Sequence, residues 1–254
     1  MTLVVDMSYV LTVLYASVRA GALFLVTPLF VFTQIPARVR LLLVLALAIF
    51  LAMEAKVPLV NSPVTLGGLT GSLIMELFLG ALLGFGVIAA FGAFLIGGRI
   101  VDVQMGFGVT GLIDPATRDQ VPLIGTMLEM MAVVTFFLVN GHHYLLRGLA
   151  YSFEKVPPGT SLSKLTIEPI VSQFGLMFIY GLAITAPVIV ALLLIDVGMS
   201  FMARTMPQMN VFIVALPIKI FVGLVVLVVS LGYLSPLLEK IYISIFRYWE
   251  TVIS

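Results

Sequence analysis

Five ionisable side chains interrupt the long apolar runs of this sequence, at Arg19, Glu76, Glu129, Asp196 and Lys219. A charge inside hydrocarbon is costly, so each side chain is expected to face protein, water or an opposite charge. Such groups act as relays in proton or ion transporters, and they also form interhelical pairs that fix an assembly. Because the five residues are scattered along the chain, we favour buried ion pairs.

Two further spacings mark weaker candidates. Arg99 and Asp102 stand three residues apart at the end of an apolar run, where they could form an ion pair on one helix face. His142 and His143 are adjacent, so on a helix their side chains diverge by about 100°, and no third ligand is nearby in the sequence. We predict an ion pair at the first position and no metal site at the second.

The sequence contains no constellation typical of an enzyme. It has no cysteine, and no nucleophile and base pair, phosphate-binding loop or zinc motif stands in a suitable context. Gly106, Gly108 and Gly111 imitate a nucleotide fingerprint, but no βαβ unit surrounds them. We expect neither catalytic activity nor a cofactor.

Composition indicates which elements position these residues. Hydrophobic residues make up 61% of the chain and charged residues 10%, whereas soluble domains carry about 25% charged residues. A soluble protein this apolar would expose large hydrophobic patches, so we predict an integral membrane protein. The net charge of +1 gives no sign of nucleic-acid binding. The first residues include Asp6 and no basic residue, so no cleavable signal peptide is predicted.

About six apolar segments are candidates for long membrane helices. All are predicted to be helical, because lipid offers the backbone no hydrogen-bond partners. Prolines inside them are expected to break or kink some of the helices, and no linker divides the set, which gives a single all-α unit. The segments are Met7 to Ile35, Leu41 to Met53, Leu69 to Gly98, Val121 to Val139, Phe174 to Ile195 and Val211 to Leu234.

Two properties of these segments do not fit ordinary spans. As helices, Leu41 to Met53 would be about 20 Å long and Leu69 to Gly98 about 45 Å, against a hydrocarbon core of about 30 Å. Lys and Arg are also shared almost evenly between the two sides of a six-span arrangement, so the positive-inside rule assigns no orientation.

Small residues mark the third segment as a packing surface. They let helix backbones approach closely, so we predict tight packing against a helix of this chain or of another. The residues are Gly80, Gly84, Gly92, Gly97 and Gly98.

Methionines recur at helical spacing further along, at Met199, Met202, Met206 and Met209. Such a stripe could line a pore or an adaptable binding surface. A stripe of this kind more often belongs to a core or an interface, and Pro207 breaks its regularity, so we favour the core or interface.

Several stretches, taken together and in order, resemble the FliR family of flagellar export-gate proteins, whose injectisome counterparts are the SctT family. They are RAGALFLVTPLF, IPARVR, RIVDVQMGFGVTGLIDP, NGHHYLLRGLAYSFEKVPPG and APVIVALLLIDVGMSFMARTMPQMNVFIVALPIKIFVG. The resemblance covers nearly the whole chain.

This resemblance implies a P-like part, residues 1–173, followed by a Q-like helical hairpin and C-terminal tail, residues 174–254. Within these parts, Val121 to Phe153 resemble the closing helix of the FliP subunit, and Ala186 to Leu234 resemble the hairpin of the FliQ subunit. In the family, one such chain joins several P and Q copies in a helical ring that lies largely above the membrane plane. That placement would explain the helix lengths and the even charge distribution.

Partners and location also follow from the resemblance. It implies FliP-like, FliQ-like, FlhB-like and FlhA-like neighbours, membrane lipid, and unfolded protein substrates in transit, in the flagellar basal body of the bacterial inner membrane. The methionine stripe is then assigned to subunit contacts.

The resemblance further implies that the loop near residues 101–122 is a channel plug. Its glycines provide conformational freedom, and its apolar side chains provide bulk for a dewetted constriction. The alternative is a solvent-exposed loop without a gating role, and such a loop would more usually be polar throughout. The candidate gate residues are Met105, Gly106, Phe107, Gly108, Val109, Gly111, Leu112, Ile113, Asp114 and Pro115.

The rival function is a stand-alone, ion-coupled secondary transporter. In that case Glu76, Glu129, Asp196 and Lys219 would form one site at the membrane midplane. The rival predicts an inverted repeat, and the sequence shows none.

Overall fold

The computed structural model describes residues 7–28, 36–54, 65–107, 122–160, 166–206 and 211–253. Within these ranges the chain forms eight helices and no strand, which confirms the predicted all-α fold. The helices are α1 (Met7–Val26), α2 (Ala37–Glu54), α3 (Leu66–Met105), α4 (Leu123–Leu138), α5 (Gly141–Lys155), α6 (Glu168–Thr205), α7 (Val211–Leu231) and α8 (Ser235–Ile253).

The helices differ in length from the predicted segments. Helix α3 has 40 residues, because it continues through Arg99 and Asp102 to Met105. Helix α6 has 38 residues and contains Pro187. The amphipathic helices α5 and α8 lie outside the predicted apolar segments, since a helix with one polar face gives no continuous apolar run.

Four helices of the described chain are long and apolar enough to cross a membrane: α1, α3, α6 and the part of α7 from Ile213 to Leu231. The number becomes five if α4 and α5, which meet at a bend of 75°, form one span. Helix α2 is not among them, and it carries Arg38, Arg40 and Glu54 near its ends.

The bend between α4 and α5 is produced at Asn140, whose φ of 58° is left-handed. Asparagine tolerates this conformation better than most residues with a side chain. At the next position, Gly141 lies against the ring of Phe136, where a Cβ atom would overlap the ring.

Contacts divide the chain into two compact units. Unit 1 contains residues 1–89, 135–173 and 244–254, and unit 2 contains residues 90–134 and 174–243. The P-like and Q-like parts are a division by sequence likeness and remain a prediction.

Unit 1 is closed by the end of α8. Trp249 donates from Nε1 to the carbonyl oxygen of Leu83 at 2.9 Å, and the Tyr248 hydroxyl donates to that of Leu82 at 3.2 Å. Gly86 and Gly148 leave room for the two rings. Burial raises the pKa of Tyr248 to about 12, so its hydroxyl stays protonated.

Unit 2 packs the second half of α3 against α4, α6 and the start of α8. Phe91, Phe94, Ala132 and Val188 are fully buried there. The Tyr242 hydroxyl donates to the carbonyl oxygen of Ala132 at 2.7 Å. By contrast, α6 and α7 expose many large apolar side chains, for example Phe201 and Phe221.

Candidate functional site

Arg19 and Glu76 form an ion pair inside unit 1, with side chains 1% and 0% exposed. The guanidinium donates from Nε to Glu76 Oε2 at 2.6 Å and from Nη2 to Oε1 at 3.1 Å. The helices that carry them touch at Gly80, where a Cβ atom would overlap the carbonyl oxygen of Arg19. Close backbone approach therefore brings these two side chains of α1 and α3 together.

The rest of the guanidinium binds the end of α5. Nη1 donates to the carbonyl oxygen and the hydroxyl of Ser152 at 2.9 and 3.3 Å, and Nη2 donates to the carbonyl oxygen of Val156 at 3.0 Å. The Phe153 ring centroid lies 4.4 Å from its central carbon. Arginine has five N–H donors, and this network of five hydrogen bonds uses all of them.

Glu76 also holds the turn after α5. Its Oε1 accepts a hydrogen bond of 2.9 Å from the backbone N–H of Gly159, whose φ of 79° is left-handed. Buried charges are stable when they are paired and hydrogen-bonded. The cluster therefore ties α1, α3, α5 and the following turn together.

A second ion pair joins α6 and α7 in unit 2. Lys219 Nζ contacts Asp196 Oδ1, and the side chains are 19% and 53% exposed. Glu129, on α4, is half-buried. Glu76 thus pairs with Arg19, while Asp196 and Lys219 pair with each other. The transporter hypothesis placed Glu76, Asp196 and Lys219 in one site, whereas they belong to two separate ion pairs.

The sequence predicts that Asp102 pairs with Arg99, and this prediction is wrong. Asp102 binds the start of α4. It is 4% exposed, and its carboxylate accepts hydrogen bonds from the backbone N–H groups of Ile124 at 2.9 Å and Gly125 at 3.2 Å. Arg99 is exposed. The first-turn N–H groups of a helix need acceptors, and those of α4 bind the Asp102 carboxylate in the interior, while the Arg99 side chain is exposed.

The five glycines that predict helix packing on α3 all face other helices of this chain. A Cβ atom at Gly80 would overlap Arg19, and at Gly98 it would overlap Gly125. At Gly97 it would lie 2.5 Å from the carbonyl oxygen of Gly181, at Gly92 3.0 Å from Met177 Sδ, and at Gly84 3.4 Å from the carbonyl oxygen of Leu23.

The candidate gate segment begins where α3 ends. Met105 is fully buried and lies against Gly223 of α7, where a Cβ atom would overlap its methyl group. Gly106 has a φ of 89°, which favours glycine, and Phe107 is half-buried. The other predicted gate residues, from Gly108 to Pro115, lie outside the described residues.

The sequence profile of the bacterial export proteins, family 1, matches residues 10–244. The flagellar biosynthetic protein FliR of Bacillus subtilis (strain 168) is 33% identical over 232 residues, which cover 89% of this chain and 88% of the relative. The chain belongs to the FliR family of bacterial export proteins.

Other family members give similar matches to this export protein. FliR of Escherichia coli (strain K12) is 27% identical over 237 residues, covering 93% of this chain and 90% of the relative. The Yop proteins translocation protein T of Yersinia pestis is 29% identical over 157 residues, covering 61% and 60%. The export protein is therefore a membrane component of an export apparatus.

The methionine stripe is divided in this export protein. Met199 is buried, whereas Met202 and Met206 are 42% and 52% exposed on or beside the end of α6. Met209 lies outside the described residues.

The rings of the adjacent histidines lie close together at a tilt of 36°, contrary to the divergence expected on a helix. Their ring centroids are 4.3 Å apart, and the His142 ring also lies 5.3 Å from that of Phe137. They stand at the start of α5, just after the bend. The described residues contain no group of three side chains that could hold a metal ion.

Proposed function

We propose that this export protein is a non-enzymatic subunit of the flagellar type III export gate in the bacterial inner membrane. It forms the export channel with FliP-like and FliQ-like subunits, contacts FlhB-like and FlhA-like proteins, and closes the channel with its glycine-rich segment, residues 105–115. Unfolded export substrates displace this segment when they enter.

The observation that carries the proposal is the change in character at the end of α3. Up to Asp102 the helix is held by buried contacts, and Met105 still packs against α7. From Gly106 onwards, three glycines alternate with Phe107, Leu112 and Ile113. A fixed base followed by a sequence of glycines and large apolar side chains is what a steric plug requires.

The buried charges support a structural role and oppose ion transport. The guanidinium of Arg19 uses all five donors, and Glu76 accepts three hydrogen bonds. A transport relay must exchange partners, and such an exchange would leave a buried charge unpaired.

The hairpin of α6 and α7 supports assembly with other subunits. Its large apolar side chains are mostly exposed, including Leu194, Phe221 and Val228 at 65%, 70% and 67%. Exposed surfaces of this kind bind lipid or protein. We assign this hairpin, with Met202 and Met206, to contacts with a FliQ-like subunit and the FlhB-like protein.

Co-purification tests the assembly. The tagged chain, extracted in mild detergent, is expected to retain FliP-like and FliQ-like subunits in one stable complex. Recovery of a lone monomer that transports a solute would contradict the export gate and support the secondary transporter.

Ion leakage through the assembled complex tests the plug. Deletion of Gly106 to Ile113 is expected to raise ion leakage through the complex in vesicles without export substrate. Replacement of these residues by glycines and serines should have the same effect, because this variant keeps the length of the segment but removes its apolar side chains. The conservative change Ile113→Leu serves as the matched control and should leave the seal intact. Unchanged leakage with a fully assembled deletion variant would reject the sealing role.

A further inference from the structure

Helix α2 packs through one narrow face. Its buried side chains, Ala48, Leu51 and Ala52, stand three or four residues apart and so share one side of the helix. Helix α1 of the same unit contacts α2, and a Cβ atom on Gly21 of α1 would be in van der Waals contact with Val44. The two alanines let the backbones of α1 and α2 approach closely.

The outer face of α2 consists of large apolar side chains. At about 100° per residue, its exposed positions extend over about half of the helix circumference. Phe50 and Met53 are 59% and 70% exposed. No residue from Leu41 to Met53 is polar, and the small residue Ala46 is the one exception among the large side chains of this face. The other members of the outer face are Leu41, Leu42, Leu43, Leu45 and Ile49.

The types of these side chains favour lipid over a second protein. Helices that meet in a membrane place small or polar residues at their contact, and on α2 the buried small residues face α1. Protein interfaces are enriched in tyrosine, tryptophan and arginine, and the outer face of α2 contains none of them. Flexible acyl chains, by contrast, can cover aliphatic side chains of any shape.

The charges at the ends of α2 are the opposite of those that a helix favours. Arg38 and Arg40 lie in the first turn, at the positive end of the helix dipole, and Glu54 is the last residue, at the negative end. Arg38 is exposed and belongs to neither ion pair of the described residues. A cation in this position is stabilised by an anion from outside the helix. Anionic lipid headgroups attract arginines at a membrane surface.

The length of α2 fits the same partner. Its uncharged run, Leu41 to Met53, is about 20 Å long as a helix, and the hydrocarbon core is about 30 Å thick. A short apolar run is accommodated by local thinning of the bilayer and by flanking side chains that reach the interface. Arginine does this readily, because its stem lies along apolar surface while the guanidinium reaches the headgroups.

We propose that α2 is a lipid-binding helix of this export protein. Its outer face lies against acyl chains, Arg38 binds the phosphate of an anionic lipid headgroup, and α1 connects the helix to unit 1. This surface includes neither the candidate gate segment nor the hairpin of α6 and α7. The inference therefore goes beyond the proposed function and does not depend on the plug.

Fluorescent labels on α2 test the contact with acyl chains, and the chain contains no cysteine that would interfere. Leu42→Cys and Phe50→Cys are labelled with bimane in the full chain, assembled with its partner subunits in vesicles of phosphatidylethanolamine and phosphatidylglycerol. Brominated acyl chains quench a label in lipid, acrylamide quenches a label in water, and neither quenches a label covered by protein. The matched control is Ala48→Cys, on the face that packs against α1.

We expect brominated lipid to quench the labels at positions 42 and 50 strongly and acrylamide to quench them little, while the label at position 48 responds to neither. If neither quencher reaches positions 42 and 50, a protein covers the outer face, and the proposal is overturned. Strong quenching by acrylamide would overturn it as well. Because the two wild-type side chains are exposed, these results do not depend on assembly of the control variant.

Arg38→Gln tests the headgroup contact. Quenching of the label at position 42, one turn from Arg38, is compared between brominated phosphatidylglycerol and brominated phosphatidylcholine. Loss of one contact between arginine and an anionic headgroup should lower the preference for phosphatidylglycerol about fivefold. Arg247→Gln, which removes an exposed arginine from α8, should leave the preference unchanged. An unchanged preference in Arg38→Gln would overturn the role of Arg38 in headgroup binding.

Discussion

The two ion pairs within the described residues consist of similar groups in different surroundings. Arg19 and Glu76, here the inner pair, are almost completely buried and linked by further hydrogen bonds to Ser152, Val156 and Gly159. Asp196 and Lys219, the outer pair, are partly exposed, and their ion pair joins only two helices, α6 and α7.

This difference shows how a membrane protein uses charge in two ways. The inner pair replaces water with a complete set of protein partners, so loss of any partner leaves a buried charge uncompensated. The outer pair keeps access to its surroundings, which lowers both its cost and its contribution to stability. Four substitutions test this distinction.

The largest effect is expected for Arg19→Ala. It leaves Glu76 buried without its cation and frees the carbonyl groups of Ser152 and Val156, which should cost about 3–5 kcal/mol. The unfolding temperature in detergent and the yield of folded protein measure this loss of stability. A variant that unfolds close to the wild-type temperature would show that the inner pair does not hold unit 1 together.

Gly80→Ala should come next, since its methyl group would overlap the backbone that carries Arg19. Overpacking of this kind costs about 1–3 kcal/mol. The matched control is Gly71→Ala on the same helix, where nothing lies within 4 Å of a Cβ atom. The control should stabilise α3 by about 0.5–1 kcal/mol, so equal melting shifts of the same sign would contradict close packing at Gly80.

Tyr248→Phe tests a neutral buried contact in the same unit as the inner pair. At neutral pH the loss of the hydrogen bond to Leu82 should cost about 1 kcal/mol. The unfolded state ionises near pH 10 and the folded state near pH 12, so wild-type stability falls as the pH rises between these values. Phenylalanine does not ionise, so unfolding curves from pH 9 to 12 should show the advantage of the wild type shrink to zero and then reverse; a constant difference would be evidence against the raised pKa.

The smallest effect is expected for Asp196→Asn in the outer pair. A partly exposed ion pair contributes about 0.2–1 kcal/mol, and asparagine can still accept from Lys219. The unfolding temperature should therefore stay close to that of the wild type. A loss as large as that of Arg19→Ala would remove the distinction between the two pairs.

Much of the fold could be predicted because apolar runs in a membrane protein are necessarily helical. The ends of the helices could not, since they depend on tertiary contacts. The apolar run ends at Gly98, yet α3 continues to Met105, and Asp102 accepts hydrogen bonds from the start of α4.

The candidate site was predicted in its residue types and only partly in its partners. Arg19 and Glu76 stood out as charges in apolar runs, but at a sequence separation of 57 nothing indicated that they meet. The proline before α4 has no side-chain acceptor for the first turn of that helix, which was a local sign that an acceptor can come from elsewhere in the chain. The close approach of the His142 and His143 rings had no signal in the sequence.

The segments of unit 1 are far apart in the sequence, so the ribosome synthesises them at different times. The first 89 residues of the unit leave the ribosome early. Trp249, whose indole binds the Leu83 carbonyl oxygen, is synthesised 166 residues after Leu83. All of unit 2 has been synthesised before that indole leaves the exit tunnel. Translation therefore imposes an order of events: the inner pair can form while the nascent chain is still growing, and unit 1 is closed only when the last helix is released.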